Sequence, residues 1–337
     1  MNEASIARVA LVGLGPIGVE VARAVVGRPG VEILGAADPA ADKAGKDLRD
    51  LLKTEGGEAL PIAPSARELY SKSSRSRGKR DVVLLCTGSR LESVADQIGE
   101  AVDAGFHVVS TCEELSFPDL RHAGLARSLD ARAKKAGVAV IGTGVNPGLV
   151  MDRLALAAAG ACVTVDKVKV TRVVDAAKRR GPLRAKVGAG LSKEEFEAGV
   201  AARKLGHVGL SESAAMIAVG LGLPIDEITE TIQPVIAARG TEGVAEGRVL
   251  GLHQIAQVRA GGEVKVELDL TMAVGADAFD RIDIQGDPPV SLTVTGGFHG
   301  DRATVGCVVN AIPFIVASPP GVQTVVTIPL FGLLPQR

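Results

Sequence analysis

The feature that most constrains this chain is Gly13-Leu14-Gly15-Pro16-Ile17-Gly18, set between an apolar run over 8–12 and a segment with helical spacing over 19–26. A GxGxxG pattern alone is common, but one that leaves a short apolar strand and opens a helix predicts a dinucleotide-binding βαβ unit. The glycines have separate tasks in such a unit. Gly13 allows the tight turn, Gly15 lets backbone approach a pyrophosphate, and Gly18 lets the helix pack closely on the strand. Pro16 and Ile17 stand at the helix start, where free N–H groups and the positive dipole end suit phosphate. A second apolar run, 31–37, ends in Asp38, 20 residues past Gly18. An acid there is expected on the adenosine ribose hydroxyls, which favours NAD. Lys43 and Lys46 follow closely and leave NADP open.

Strand and helix then alternate. Apolar runs at 81–86, 107–110 and 138–142 are separated by helical segments reaching about 104 and running from about 117 to 135. That spacing predicts a doubly wound parallel sheet, the Rossmann arrangement, in which ligands bind beyond the carboxyl ends of the strands. Thr87-Gly88-Ser89, Thr111-Cys112-Glu113-Glu114 and Thr143-Gly144-Val145-Asn146-Pro147 occupy those ends. Thr87, Gly88, Thr111, Cys112 and Asn146 are therefore expected around the cofactor, at its nicotinamide end. Past Asn146-Pro147-Gly148 the texture changes to long strands (163–174, 264–274, 290–295) with helices at 192–204 and 211–221, which predicts an α+β domain on an antiparallel sheet. Residues 300–315 read as one helix. The expected fold class is α/β, a Rossmann domain over 1–146, an α+β substrate and dimerisation domain over 147–300, and a C-terminal helix and tail over 301–337 that returns to the first domain.

Composition narrows the function. Lysines and arginines number 38 against 39 acids, and aromatics are 2% of the chain, so neither a basic surface nor a stacking platform speaks for nucleic acid. No uninterrupted apolar run reaches the roughly 18 residues of a bilayer span, and the start of the chain does not read as a signal peptide. Cys86, Cys112, Cys162 and Cys307 are scattered, which reads as reduced thiols in a cytoplasmic protein and not as a zinc site. The basic run 71–80 reads as a solvated loop. Metal ligation is not expected, because the five histidines lack ligand spacing; His207 and His299 are the two that could reach a cleft.

Glu113 and Glu114 are the ionisable pair best placed for chemistry. A carboxylate beside a nicotinamide can hold a substrate ammonium, accept a proton, or activate water against an imine. First-turn acids also serve helix dipoles, and both readings stand at this point.

The stretch Thr111-Cys112-Glu113-Glu114-Leu115-Ser116-Phe117-Pro118 with Gly142-Thr143-Gly144-Val145-Asn146-Pro147-Gly148 resembles the 2,4-diaminopentanoate dehydrogenases, and so do Arg172-Val173-Val174-Asp175-Ala176 and Val309-Asn310-Ala311-Ile312-Pro313 with Pro319-Pro320-Gly321. The native amine dehydrogenases are similar, and both groups have the fold of dihydrodipicolinate reductase. The resemblance implies an NAD- or NADP-dependent amine dehydrogenase. It would catalyse reversible oxidative deamination of an amine or diamino acid to a ketone plus ammonia, as a homodimer. It also implies Asn310 as a cofactor contact and a glutamate of the 113–114 pair as the group that binds the amine and acts as base. Analogy with sugar dehydrogenases carrying Cys-Glu-Lys-Pro favours Glu114. The chain lacks the His-His pair and the Lys-x-Asp-x-Pro-Ser-Gly-Thr run of dihydrodipicolinate reductase itself. Reduction of another C=N or C=C substrate and a catalytically silent NAD(P)-binding sensor are the alternatives. For a diamino acid, Arg172 and Lys178-Arg179-Arg180 are the candidate partners of the substrate carboxylate.

Overall fold

A computed structural model describes residues 7–54, 56, 58–73, 81–177, 185–241, 243–328 and 332–335. The chain divides into two compact units, Met1–Gly148 with Gly300–Arg337, and Leu149–His299. The middle of the chain is thus inserted into the first unit, two residues later at its start and one residue earlier at its end than the sequence boundaries.

In the first unit, strands β1 (Ala7–Val12), β2 (Val31–Ala37), β3 (Ile62–Ala63), β4 (Asp81–Leu85), β5 (His107–Ser110) and β6 (Ala139–Gly142) alternate with helices α1 (Pro16–Val25), α2 (Leu48–Leu52), α3 (Ala66–Ser73), α4 (Leu91–Asp103) and α5 (Asp119–Ala136). A 3-10 turn, Glu114–Ser116, precedes α5. All neighbouring strands pair in parallel. The order is β13-β6-β5-β4-β1-β2-β3, where β13 is Gly321–Gln323. The order reverses between β1 and β4, which opens a crevice at the carboxyl ends. β4 and β5 are buried throughout, which is why they read as unbroken apolar runs. α4 lays Leu91, Val94, Ile98 and Val102 on one face of this sheet, against Val83, Leu85 and Val108. Burying each such side chain contributes about 1.5–3 kcal/mol.

The second unit holds α6 (Arg153–Ala159), β7 (Thr164–Asp175), α7 (Lys193–Ala201), α8 (Leu210–Gly220), β8 (Glu227–Ile236), β9 (Val249–Ala260), β10 (Glu263–Ala273), β11 (Phe279–Asp287) and β12 (Val290–Thr295). Its sheet runs β12-β11-β7-β10-β9-β8. It is mixed, where the sequence suggested antiparallel: β7 and β10 pair in parallel, Val266 facing Val168 and Ala273 facing Asp175. Every residue of α8 from Leu210 to Ala218 is buried. α8 packs on β8, β9 and β10.

The expected single C-terminal helix is two, α9 (Gly300–Asn310) and α10 (Ile312–Ala317), with Ala311 between them and Pro313 in the first turn of α10. A proline at a helix start loses nothing, because its missing N–H has no partner there anyway. Among the described residues, 300–317 is the one stretch long and apolar enough for a membrane span by length and composition. Here it is core: α9 packs on α1, and α10 lies against β1, β4, β5 and β6.

Candidate active site

The loops that leave the first sheet are tied to one another by backbone bonds that continue the ladder one residue past each strand. Gly13 N–H donates to Ala37 O at 2.9 Å, Cys86 to Val12 at 2.8 Å, Thr111 to Leu85 at 3.0 Å and Thr143 to Ser110 at 2.9 Å. The segments picked out by sequence therefore stand side by side along one sheet edge. Gly13 has φ +84, a conformation that favours glycine. A Cβ on Gly18 would lie 1.8 Å from Gly13 O, so the helix and the turn meet at van der Waals contact.

A Cβ on Gly15, by contrast, would meet nothing within 4 Å. The backbone there faces open space at the start of α1, whose N-cap is Gly15 and makes no side-chain cap bond. That is the cradle a pyrophosphate requires, and the residues present fit a dinucleotide. Pro16 is exposed beside it, Ile17 is half-buried and Gly18 buried.

Asp38, 7% exposed, closes the loop from the other side. Its Oδ2 accepts the Leu14 N–H at 2.7 Å and the Lys43 ammonium at 3.1 Å, and its Oδ1 accepts the Ala40 N–H at 2.9 Å. Burial pushes this carboxyl up, but the Ala40 and Leu14 N–H groups and Lys43 outweigh it and hold it below the usual carboxylate range.

The two glutamates part company. Glu114, 5% exposed, turns into the protein. Its Oε2 accepts the Leu91 N–H at 2.8 Å, at the N-terminus of α4, and lies 2.9 Å from His122 Nε2; its Oε1 stands 3.5 Å from Arg90 Nη1. Glu114 thus joins α4, α5 and the end of β5. Glu113, the N-cap residue of the 3-10 turn, is half-buried, and its Oε2 is a buried atom. The turn that carries it packs on Gly142, where a Cβ would lie 2.7 Å from Leu115 C and Ser116 N.

Beside it, the buried Ser116 Oγ and Thr143 Oγ1 have no hydrogen-bond partner among the described residues. Buried hydroxyls are normally satisfied, so a water or a ligand group is the expected partner of each. The sequence reading placed Thr143 in a strand-end segment and Ser116 in the 111–118 motif but named neither hydroxyl as a contact, because sequence does not show which hydroxyls lack a partner. Thr87 is exposed, Gly88 and Thr111 half-buried, and Cys112 and Asn146 buried. Cys112 Sγ donates to Ser89 O at 3.3 Å, which anchors the turn.

Two expected contacts have other work. Asn310 Oδ1 accepts the Leu334 N–H at 3.0 Å, tying the tail to the end of α9. Arg172 is 3% exposed and already paired with an acid. Its Nη1 is 2.7 Å from Asp280 Oδ1 and its Nη2 donates to Phe298 O at 3.0 Å, inside the second unit. The 178–180 turn lies outside the described residues, as do 74–80 of the basic run. The His207 N–H donates to Gln254 Oε1 and the His207 carbonyl accepts from Gln254 Nε2, both at 2.8 Å, and His299 is exposed. Among the described residues no group of three His, Cys, Asp or Glu is arranged to hold a metal.

Residues 149–335 match the model of the 2,4-diaminopentanoate dehydrogenase C-terminal domain. The chain belongs to the 2,4-diaminopentanoate dehydrogenase family. It is 32% identical over 335 residues to the 2,4-diaminopentanoate dehydrogenase of Acetoanaerobium sticklandii, covering 96% of this chain and 93% of that one. An amine dehydrogenase from Mycobacterium smegmatis has the same fold, with a TM-score of 0.84 at 24% identity, over 100% of this chain and 99% of that one. GenD2 of gentamicin A biosynthesis, solved with NAD, matches at a TM-score of 0.52 and 18% identity, over 88% of this chain and 74% of that one. The family expected from the 111–118 and 142–148 motifs is thus the family found, and in this 2,4-diaminopentanoate dehydrogenase relative those motifs form one sheet edge.

Proposed function

We propose that this protein is an NAD(P)-dependent amine dehydrogenase, interconverting a short amine or diamino acid and the corresponding ketone plus ammonia, with Glu113 as its base. The observation that carries the reading is the division of labour at the end of β5. Glu114 is held by the Leu91 N–H of α4 and by His122 of α5, which supports its neighbour Glu113, on the turn that follows Thr111 at the end of β5, as the glutamate of the chemistry. Membership of the 2,4-diaminopentanoate dehydrogenase family and the likeness to an amine dehydrogenase support it.

Gly13, Gly15, Pro16, Ile17 and Gly18 hold the pyrophosphate and Asp38 the adenosine ribose. Thr87, Gly88, Thr111, Cys112 and Asn146 border the nicotinamide end. The bound cofactor supplies a hydride acceptor. The Glu113 carboxylate holds the substrate ammonium by charge and removes its proton, leaving the neutral amine whose carbon gives up hydride readily. Glu113 then passes that proton to solvent, and as a carboxylate again it accepts a proton from the water that attacks the iminium carbon. The Ser116 and Thr143 hydroxyls donate to or accept from the polar groups that settle there. Asn310 is the cofactor contact that the family resemblance implies, and its Oδ1 also accepts the Leu334 N–H of the tail. The working form is a homodimer, C2 pairing being the commonest assembly, and the compartment is the cytoplasm, where four thiols stay reduced.

The test is a steady-state screen of NAD and NADP against small amines and diamino acids, and of NADH and NADPH against ketones with ammonium. Cofactor reduction by an amine, lost in Glu113→Gln, is the expected result. Cofactor binding with no turnover across the panel, or full activity in Glu113→Gln, overturns the reading. Sedimentation velocity reports the dimer.

A further inference from the structure

Lys43 reads from sequence as one of two lysines on a solvated stretch behind Asp38. The structure separates them. Lys46 is exposed, whereas the Lys43 side chain is 20% exposed and its Nζ lies 3.1 Å from Asp38 Oδ2. The turn that carries Lys43 is fixed, since Lys43 N–H donates to Ala40 O at 2.9 Å and Gly45 N–H to Ile62 O at 2.8 Å.

Asp38 is fixed as well. The Leu14 and Ala40 N–H groups each take one of its oxygens, so the carboxylate cannot swing away from whatever sits at the end of β2. A carboxylate offers about four acceptor positions. Oδ2 has two donors and Oδ1 has one, which leaves a lone pair of Oδ1 for a ribose hydroxyl. A lone immobile carboxylate would repel a phosphate at the neighbouring 2′ position. Lys43 reverses that. An ammonium carries three donors, and Asp38 uses one of them. On its flexible stem, the remaining donors can turn to a phosphate without leaving the carboxylate. Lys43 therefore decides whether the local charge is that of an acid or of a neutral pair.

We infer that Lys43 and Asp38 together form a dual-specificity adenosine site, Asp38 taking the ribose hydroxyls and Lys43 making the 2′-phosphate acceptable, so that Lys43 is the residue that admits NADP alongside NAD. The inference rests on the dinucleotide reading above and adds which residue governs the choice.

The test uses the full-length protein and two probes that lack the nicotinamide, ADP-ribose and 2′-phospho-ADP-ribose, with binding read by titration calorimetry and no turnover involved. The wild type is expected to bind both, with affinities within about tenfold, as one charge-assisted contact allows. Lys43→Met should raise the preference for ADP-ribose by about tenfold or more on the same basis, and Lys43→Arg should keep the wild-type ratio. In the wild type, added salt should weaken 2′-phospho-ADP-ribose more than ADP-ribose, a readout that needs no variant. A ratio unchanged in Lys43→Met, or equal salt dependence of the two probes, overturns the inference while leaving the dinucleotide site intact. Binding of neither probe to the wild type overturns the dinucleotide reading itself, and the inference with it.

Discussion

Glu114 Oε2 lies 2.9 Å from His122 Nε2, and His122 is the residue at which α5 departs from helical dihedrals (φ −132, ψ 43). The contact joins the end of β5 to a bend in the next helix, so Glu114 holds the scaffold on which its neighbour stands. Glu114→Gln keeps the shape but loses the charge that the Leu91 N–H and His122 share. It should cost about 1–3 kcal/mol of stability, seen as a lower melting temperature. Glu113→Gln should lose turnover by about 100-fold or more, the usual weight of a general base, while Glu114→Gln loses less. Melting curves and initial rates on the two variants check the assignment, and the opposite pattern would reverse it.

Gly18→Ala should abolish tight binding of ADP-ribose. Its Cβ would sit 1.8 Å from Gly13 O, which forces the turn off the sheet edge and moves Leu14 away from Asp38. Calorimetry on this variant, with circular dichroism to confirm a folded chain, checks it.

Arg172→Met should be among the most destabilising substitutions in the second unit, at about 3–5 kcal/mol, because it strands a buried carboxylate. Burial pushes the Asp280 carboxyl up, against the Arg172 guanidinium and the Phe298 N–H. A carboxyl whose folded value is raised favours the fold below its unfolded value, and that support is lost as pH rises through the folded one. The penalty of Arg172→Met should therefore shrink on acidification, since a protonated Asp280 needs no cation. Melting temperatures of wild type and variant at pH 5 and pH 8 measure the change; an equal gap at both would contradict it.

Cys86 and Cys112 should stay unmodified by iodoacetamide at pH 8 in the folded protein. Burial pushes both thiols up to about 12, so the thiolate that reacts is scarce. Mass spectrometry before and after unfolding tells whether their protection comes from the fold.

What could be read from the sequence divides along a physical line. The glycine loop, β4, β5 and β6 were legible because a parallel sheet covered on both faces turns each strand into an apolar run. β9 and β11 were not, because their buried positions are interrupted by more exposed ones and by charged residues such as Arg259 and Asp283, and β8 was not, because none of its residues is buried. Pro234 further masks β8, and it is tolerated because β8 is an edge strand. The parallel pairing of β7 with β10 joins segments nearly a hundred residues apart, which no local pattern carries. In the site, position along the sheet edge was legible, but the direction of two adjacent glutamates was not. Glu114 is claimed by Leu91 and His122, and both lie in helices whose packing is set by the whole unit.

The last strand of the first sheet, β13, pairs beside β6 although some 180 residues separate them, and Val322 N–H donates to Asp130 at 3.1 Å. During synthesis on a ribosome the two units must therefore finish in the reverse of the order in which they begin. The inserted unit emerges whole while the first still lacks α9, α10 and its seventh strand, and β6 waits as a bare edge. A chain that stalls near residue 300 would carry the entire glycine loop and both glutamates, yet would present that edge to other nascent chains. The segment from Gly300 onward is thus the piece whose emergence seals the first sheet.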